Sequence, residues 1–262
     1  MTSDPVLSQL ADLASTVAME AGTLVTDIRS ESLGALNTKS SPTDLVTAAD
    51  SQAEELITRR LLDMRPDDSI LGEEGVTHHG TSGVTWHIDP IDGTTNYVYG
   101  IPAYCVSIGA EVDGQLAAGA VYDPSMKELF VGVKGQGAQL NGKELSASTK
   151  VDLSTALIAT GFSYHTENRR QQAQRMVGVL PAVRDIRRSG SAALDLCSVA
   201  CGRIDAYFEQ DLNMWDLAAG ALIAAEAGAR VENLNGSGLD GSFTIAATVG
   251  IFDALHELLM TS

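Results

Sequence analysis

The chain has 262 residues, 44% of them apolar and 25 of them glycine, which suits one large domain or two small ones and excludes a disordered or fibrous protein. Its 34 acidic residues against 17 basic ones give a formal charge of −17, which argues against a surface that follows nucleic-acid phosphates or an anionic membrane. The sparse cysteines (Cys105, Cys197, Cys201), the absence of a basic-then-apolar leader and of any membrane-length apolar run point to a soluble cytoplasmic protein, with Cys197 and Cys201 read as small buried hydrophobes.

In chain order, Leu7, Leu10, Leu13, Val17, Leu24 and Ile28 recur at helical spacing and predict an amphipathic helix over about 6–29, weakened at Gly22. Lys39-Ser40-Ser41-Pro42-Thr43-Asp44 has the chemistry of a polar loop. A second helix is predicted from 47 or 48 to Met64, ending before Pro66, with Leu56, Ile57, Leu61 and Leu62 as its stripe. Residues 69–75 read as a short strand opening into the acidic turn Glu73-Glu74-Gly75. His78 and His79 fall in a loop and read as solvated, not as ligands. Val84, Trp86 and Ile88 alternate as a strand should.

Strands are predicted at 104–112, 115–123 and 129–134, with turns at Asp113-Gly114, Asp123-Pro124 and Gly135-Gln136-Gly137, and a tight turn at Asn141-Gly142-Lys143. This is an antiparallel meander. A second half then alternates: strand 152–160, helix 168–180, strand 185–188, helix from about 190 to 200, strand 204–209, an Ala-rich helix 215–228, strand 243–249 and helix 252–260. The Ala-rich helix is apolar nearly all round, so it should be buried, with Trp215 as a large anchor.

Chemistry concentrates in Asp89-Pro90-Ile91-Asp92-Gly93-Thr94-Thr95-Asn96, where the strand should break into a turn. Pro90 biases Asp89 towards an extended conformation, and Gly93 permits a bend. Two carboxylates held this close repel unless a proton or a cation lies between them, and a hard divalent ion with oxygen ligands is one solution. By itself the motif reads first as a polar turn in which aspartates cap the backbone. Glu73, Asp216 and Asp50 are further carboxylates placed at a strand end or in the first turn of a helix, where a local capping role is also open.

Taken together, Glu73-Glu74 after Ile70-Leu71-Gly72, the 89–96 motif, Trp215-Asp216-Leu217-Ala218-Ala219-Gly220 with Glu226-Ala227-Gly228, Lys39-Ser40-Ser41 with Asp44-Leu45-Val46-Thr47, and Gly190-Ser191-Ala192-Ala193 resemble, in order and spacing, the signatures of the inositol monophosphatase family. The resemblance runs over most of the chain. It implies a single domain over 1–262, with halves meeting at about 148–149, folded as a layered α-β-α-β-α sandwich of the inositol monophosphatase and fructose-1,6-bisphosphatase type.

It further implies two or three Mg2+ ions. One would be held by Glu73, Asp89 and the Ile91 carbonyl, a second by Asp89, Asp92 and Asp216, and a weaker third near Glu73. Asp50, Glu73 and Thr94 would be catalytic, with Thr94 and Asp50 orienting and deprotonating the attacking water. Phosphate oxygens would meet the amides of Gly93 and Thr94. The leaving alcohol would meet Gly190, Ser191, Ala192, Glu209 and Asp216, with Asp92 lining the same site. Ser191 stands where the family often has Thr. Arg187 and Arg188 read as surface ion-pair formers, with a role facing substrate or a partner chain open for one of them.

The function implied is a lithium-sensitive, magnesium-dependent phosphatase acting on myo-inositol 1-phosphate or a related polyol phosphate, a small-molecule ester and not a nucleic acid or membrane, and acting as a homodimer. Related branches hydrolyse histidinol phosphate, fructose 1,6-bisphosphate or 3′-phosphoadenosine phosphates. A regulatory binding protein with secondary phosphatase activity is the alternative of another class; the full set Glu73, Asp89, Asp92 and Asp216 speaks for the enzyme.

Overall fold

In the computed structural model, which describes residues 5–31, 36–38, 45–236 and 238–262, the N-terminal apolar spacing forms α1 (Pro5–Glu31). The polar loop read at 39–44 lies outside the described residues. A small antiparallel pair, β1 (Leu36–Thr38) and β2 (Leu45–Thr47), precedes α2 (Ala48–Met64), which ends before Pro66 as its stripe predicts.

An eight-stranded sheet follows. Its strands are β3 (Ser69–Gly72), β4 (Thr77–His78), β5 (Val84–Asp92), β6 (Cys105–Val112), β7 (Gln115–Asp123), β8 (Glu128–Val133), β9 (Gly137–Leu140) and β10 (Lys143–Glu144), in the order β10-β9-β8-β7-β6-β5-β3-β4. From β5 to β10 it is the predicted antiparallel meander, and only β3 and β5 run parallel. Asp113-Gly114 and Asn141-Gly142 all take positive φ, the backbone that two-residue hairpins need to match strand twist. Between β5 and β6 lies a short helix, α3 (Thr94–Tyr99).

The second half contains β11 (Leu157–Thr160), α4 (Thr166–Val179), β12 (Asp185–Arg187), α5 (Ala192–Ala200), β13 (Ala206–Gln210), α6 (Met214–Glu226), β14 (Ala229–Asn233), β15 (Phe243–Thr248) and α7 (Val249–Thr261). Its five-stranded sheet has the order β12-β11-β13-β15-β14, with β11 parallel to both β12 and β13. Side chains alternate across it. Ile158, Ala206, Phe208, Ile245 and Ala247 pack under α4 and α7, while Ala159, Tyr207 and Ala246 face α5 and α6.

The layers are thus α1 and α2, the large sheet, α5 and α6, the small sheet, then α4 and α7. That is the α-β-α-β-α sandwich anticipated above. The central helix pair depends on a row of glycines. Gly109, Gly119 and Gly132 are register partners on β6, β7 and β8. A Cβ on them would stand 2.6 Å from the Ala218 Cβ, 2.8 Å from the Ala219 Cα and 3.0 Å from the Ile223 Cα. The row is a trough in the sheet, and the alanines of α6 fit it because neither surface carries bulk. Trp215, expected as a core anchor, is only half-buried; Leu217, Ala219 and Ile223 do the anchoring.

Candidate active site

β5 carries the site. Pro90 sits in a bulge: two residues, Pro90 and Ile91, lie between Asp89 and Asp92, against only Val106 between their partners Ser107 and Cys105. A bulge tolerates the missing proline N–H, and it aims both aspartates at one place. The strand therefore does not break at Asp89, as the motif led us to expect, but runs through to Asp92. The turn comes at Gly93, with φ of 95°, where a Cβ would lie 2.9 Å from the Ala103 carbonyl oxygen. Thr94 then opens α3, its hydroxyl donating to the Ile91 carbonyl oxygen at 3.0 Å.

The other walls come from the second half. α6 reaches the site through a capping box: Asp216 Oδ2 accepts from the Asn213 amide at 2.7 Å, so the residue that caps the helix also faces the cleft. One oxygen from each of Asp89, Asp92 and Asp216 lies within 4.8 Å of the others, the cluster with metal-ligating character among the described residues. Glu73, on the turn after β3, hydrogen-bonds to Asp89 from the side. Burial and the Asp216 charge raise the Glu73 carboxyl to about 8, and burial with the Asp92 charge raises Asp216 to about 7. Asp89 is raised by burial and by Glu73. Converging buried carboxylates that hold protons at neutral pH are a site short of positive charge, and all-oxygen donors suit a hard divalent cation.

Asp92 is held differently. Ser191 Oγ donates to its Oδ2 at 2.5 Å, and the Ala193 and Ala192 amides at the start of α5 donate at 2.7 and 3.3 Å. These donors oppose the upward push of burial on its carboxyl. Ser191 is also the N-cap of α5, accepting from the Leu194 amide at 3.2 Å.

A cleft of about 720 Å³ opens over this cluster. Of the residues singled out from the sequence, Glu73, Asp89, Ile91, Asp92, Gly93, Thr94, Gly190, Ala192, Glu209 and Asp216 line it. Two do not. Ser191 is buried beneath Asp92 and turns its hydroxyl to that carboxylate. Asp50, 1% exposed in the first turn of α2, is felt through its charge, which raises Glu73. His78 falls on β4, away from the cleft wall. Glu209 receives a hydrogen bond of 2.8 Å from the buried Tyr207 hydroxyl and is raised to about 7 by burial.

Sequence reasoning left out the far side of the cleft: Phe162 to His165, Asn168 and the stretch from Gln210 to Asn213. These residues follow the carboxyl ends of β11 and β13, and Arg188 follows β12. Ligand sites of open α/β sheets lie at such ends, which is the signal that could have located them. The two arginines divide. Arg187 pairs with Asp185 at 2.7 Å on the surface, whereas Arg188 stands in the cleft wall, where its charge lowers Glu209.

A model of the inositol monophosphatase family matches residues 6–262. The inositol-1-monophosphatase SuhB of Mycobacterium tuberculosis is 48% identical, across 96% of this chain and 93% of its own. The Nus factor SuhB of Pasteurella multocida is 40% identical, across 88% and 87%. Among solved structures, Mycobacterium tuberculosis SuhB superposes with a TM-score of 0.86 at 45% identity over 98% of each chain. The extragenic suppressor protein suhB of Bartonella henselae does so with 0.88 at 35% identity, over 95% of this chain and 97% of its own.

Proposed function

From the premise that the chain belongs to the inositol monophosphatase family, we propose a magnesium-dependent phosphomonoesterase that hydrolyses myo-inositol 1-phosphate or a closely related polyol phosphate by direct attack of water. The observation that carries this is the convergence of Asp89, Asp92 and Asp216 within 4.8 Å on the cleft wall, with Glu73 alongside. Glu73, Asp89 and the Ile91 carbonyl would hold one ion, Asp89, Asp92 and Asp216 a second, and the Glu73 carboxyl a weaker third. Bound there, the cations would polarise the phosphoryl group and lower the pKa of water.

The chain's own residues supply the rest. Thr94, fixed by its bond to the Ile91 carbonyl, holds a hydroxyl where an attacking water would be oriented, and Asp50 provides the carboxylate behind Glu73 that takes up the proton. The Gly93 and Thr94 amides would receive phosphate oxygens. Glu209, steadied by Tyr207, accepts from a hydroxyl of the leaving alcohol and so favours a polyol. Gly190 and Ala192, on the same cleft wall, would meet the alcohol as well. Ser191 would act on the substrate through Asp92. With every carboxylate of the set present, the enzyme reading outweighs the purely regulatory one, although relatives named Nus factor share the scaffold. The homodimer implied by the resemblance, and the cytoplasmic location read from the sequence, are likewise proposals; sedimentation at micromolar concentration tests the first. No helix among the described residues is long and apolar enough to cross a membrane.

Phosphate release from a panel of esters, with Mg2+ and after chelation, tests the reading. Inositol 1-phosphate should lead, hydrolysis should need Mg2+, and Li+ should inhibit; no metal-dependent release from any ester would overturn the proposal. Arg188 favours one second reading, a bisphosphorylated sugar such as fructose 1,6-bisphosphate, because a cation in the far wall could meet a second phosphate. If so, Arg188→Gln should raise KM for the bisphosphate alone.

A further inference from the structure

The turn that bears Glu73 is gripped from behind. Glu54, on α2, is 3% exposed, and its two oxygens accept separately: Oε2 from the Glu74 amide at 2.8 Å and Oε1 from the Val76 amide at 3.0 Å. On the opposite side the Glu73 amide donates to the Ile88 carbonyl of β5 at 3.2 Å. The backbone around Glu73 is thus pinned between α2 and β5. The grip is close. A Cβ at Gly72 would stand 2.3 Å from Glu54 Oε2, so the glycine leaves the space the carboxylate needs.

We propose that Glu54 is a positioning residue for Glu73: its carboxylate sets the turn so that Glu73 points at Asp89 in the cleft and not into solvent. A turn of this kind needs no buried acid merely to close. An acid that accepts through both oxygens, with no N–H to offer, fixes the Glu74 and Val76 amides at a set separation; with the Glu73 amide held by the Ile88 carbonyl, the peptide groups on both sides of the Glu73 Cα are then fixed. Asp50, one helical turn earlier on α2, is buried beside the same turn, so one helix face supports the Glu73 side of the site. The inference rests on the proposed metal-binding role of Glu73, and it separates the two halves of the cluster: the support of Asp92 and Asp216 comes from α5 and α6 and does not pass through Glu54.

Glu54→Gln is the test, since the amide keeps the shape but turns one acceptor into a donor facing a backbone N–H. Mn2+ is titrated calorimetrically into the metal-free full-length protein, and the binding event that Glu73→Gln removes is identified first. In Glu54→Gln that same event should weaken about 10–100-fold, as losing a support behind a ligand does elsewhere, with any other event changed less than ~3-fold. The Mg2+ concentration for half-maximal hydrolysis should rise in step, while KM for the ester at saturating Mg2+ stays put. A general loss of stability would lower Tm without this selectivity. If Glu54→Gln fails to fold by circular dichroism, Gly72→Ala, which presses on Glu54 from its other side, should give the same selective loss. Unchanged affinity for the Glu73-dependent event in a folded variant overturns the inference and leaves the functional reading intact; a wild-type protein that binds no Mn2+ overturns both.

Discussion

Asp92 does two things that usually conflict. It belongs to a cluster of like charges, and it also receives three hydrogen bonds from Ser191 and the first amides of α5. Burial still raises its carboxyl, but those bonds offset part of that rise, at the place where the strand of one half meets a helix of the other. Asp92→Asn should therefore leave the fold intact: with its oxygen in the place of Oδ2 it keeps the Ser191 hydroxyl and the Ala193 amide, and only the longer bond from the Ala192 amide to Oδ1, 3.3 Å, is lost. It should also lower kcat/KM on the order of 10³-fold, about 4 kcal/mol of lost transition-state stabilisation. Removing one of several crowded negative charges should raise Tm in the presence of a chelator. Activity near that of the wild type, measured by phosphate release at saturating Mg2+, would remove Asp92 from the proposed site. At this scale the sequence was informative about which carboxylates matter, because each lies in a motif with its neighbours. It was silent on Glu54, whose partners lie 20 and 22 residues away, and on Tyr207, whose hydroxyl matters only once Glu209 is known to face the cleft; between Arg187 and Arg188 it could not choose. It also could not show that Ser191 faces Asp92, because a helix cap and a substrate contact call for the same hydroxyl.

Among the elements, α6 is the one whose placement decides whether the site exists. It brings Asp216 to β5 across more than a hundred residues of chain, and it does so by lying in the trough of Gly109, Gly119 and Gly132. Gly119→Ala would put a methyl 2.8 Å from the Ala219 backbone and should cost about 1–3 kcal/mol, read from the urea midpoint at unchanged m-value. Because α6 must lift or slide, activity should fall as well, even though Gly119 is remote from the cleft; a stability loss with unchanged Mg2+ dependence and kcat would mean that α6 does not set the position of Asp216. The Ala-rich composition of α6 made its burial legible, but the matching row on three strands was not, since register pairing is invisible until the meander is assembled. α3 was missed for a related reason. Thr94 to Tyr99 is rich in residues that favour strands, and the helix is short and bounded by Gly93 and Gly100, both with positive φ. β14 was missed because Arg230 and Glu232 interrupt its apolar character; at the sheet edge they pair with each other and leave the strand intact.

Over the whole molecule, the carboxylates make stability depend on pH in a direction opposite to that of most proteins. Glu73 at about 8, and Asp195, Glu209 and Asp216 each at about 7, are raised by burial above the ordinary values of 4.5 and 3.8. Between about pH 4 and 8 the metal-free folded chain therefore holds protons that the unfolded chain has released. Stability must fall as pH rises through that window. His87, 4% exposed and lowered by burial from 6.5, acts in the other sense below about 6.5, where the unfolded chain gains a proton first. We propose that both halves report this together as one domain, because a single apolar cluster joins Val121 and Phe130 of the large sheet, α5 and α6, and Tyr207 and Ala246 of the small one. In calorimetry the chelated protein should melt in one transition whose Tm declines from pH 6 to 9. A net change of about 2 kcal/mol would correspond to roughly 4–8 °C in a chain of this size. Added Mg2+ should recover the loss and raise Tm more at pH 8.5 than at pH 6, since it replaces protons that are still bound at the lower pH. An equal Mg2+ shift at both pH values would show that the cation does not bind the proton-holding cluster, and two separate transitions would show that α5 and α6 do not couple the sheets.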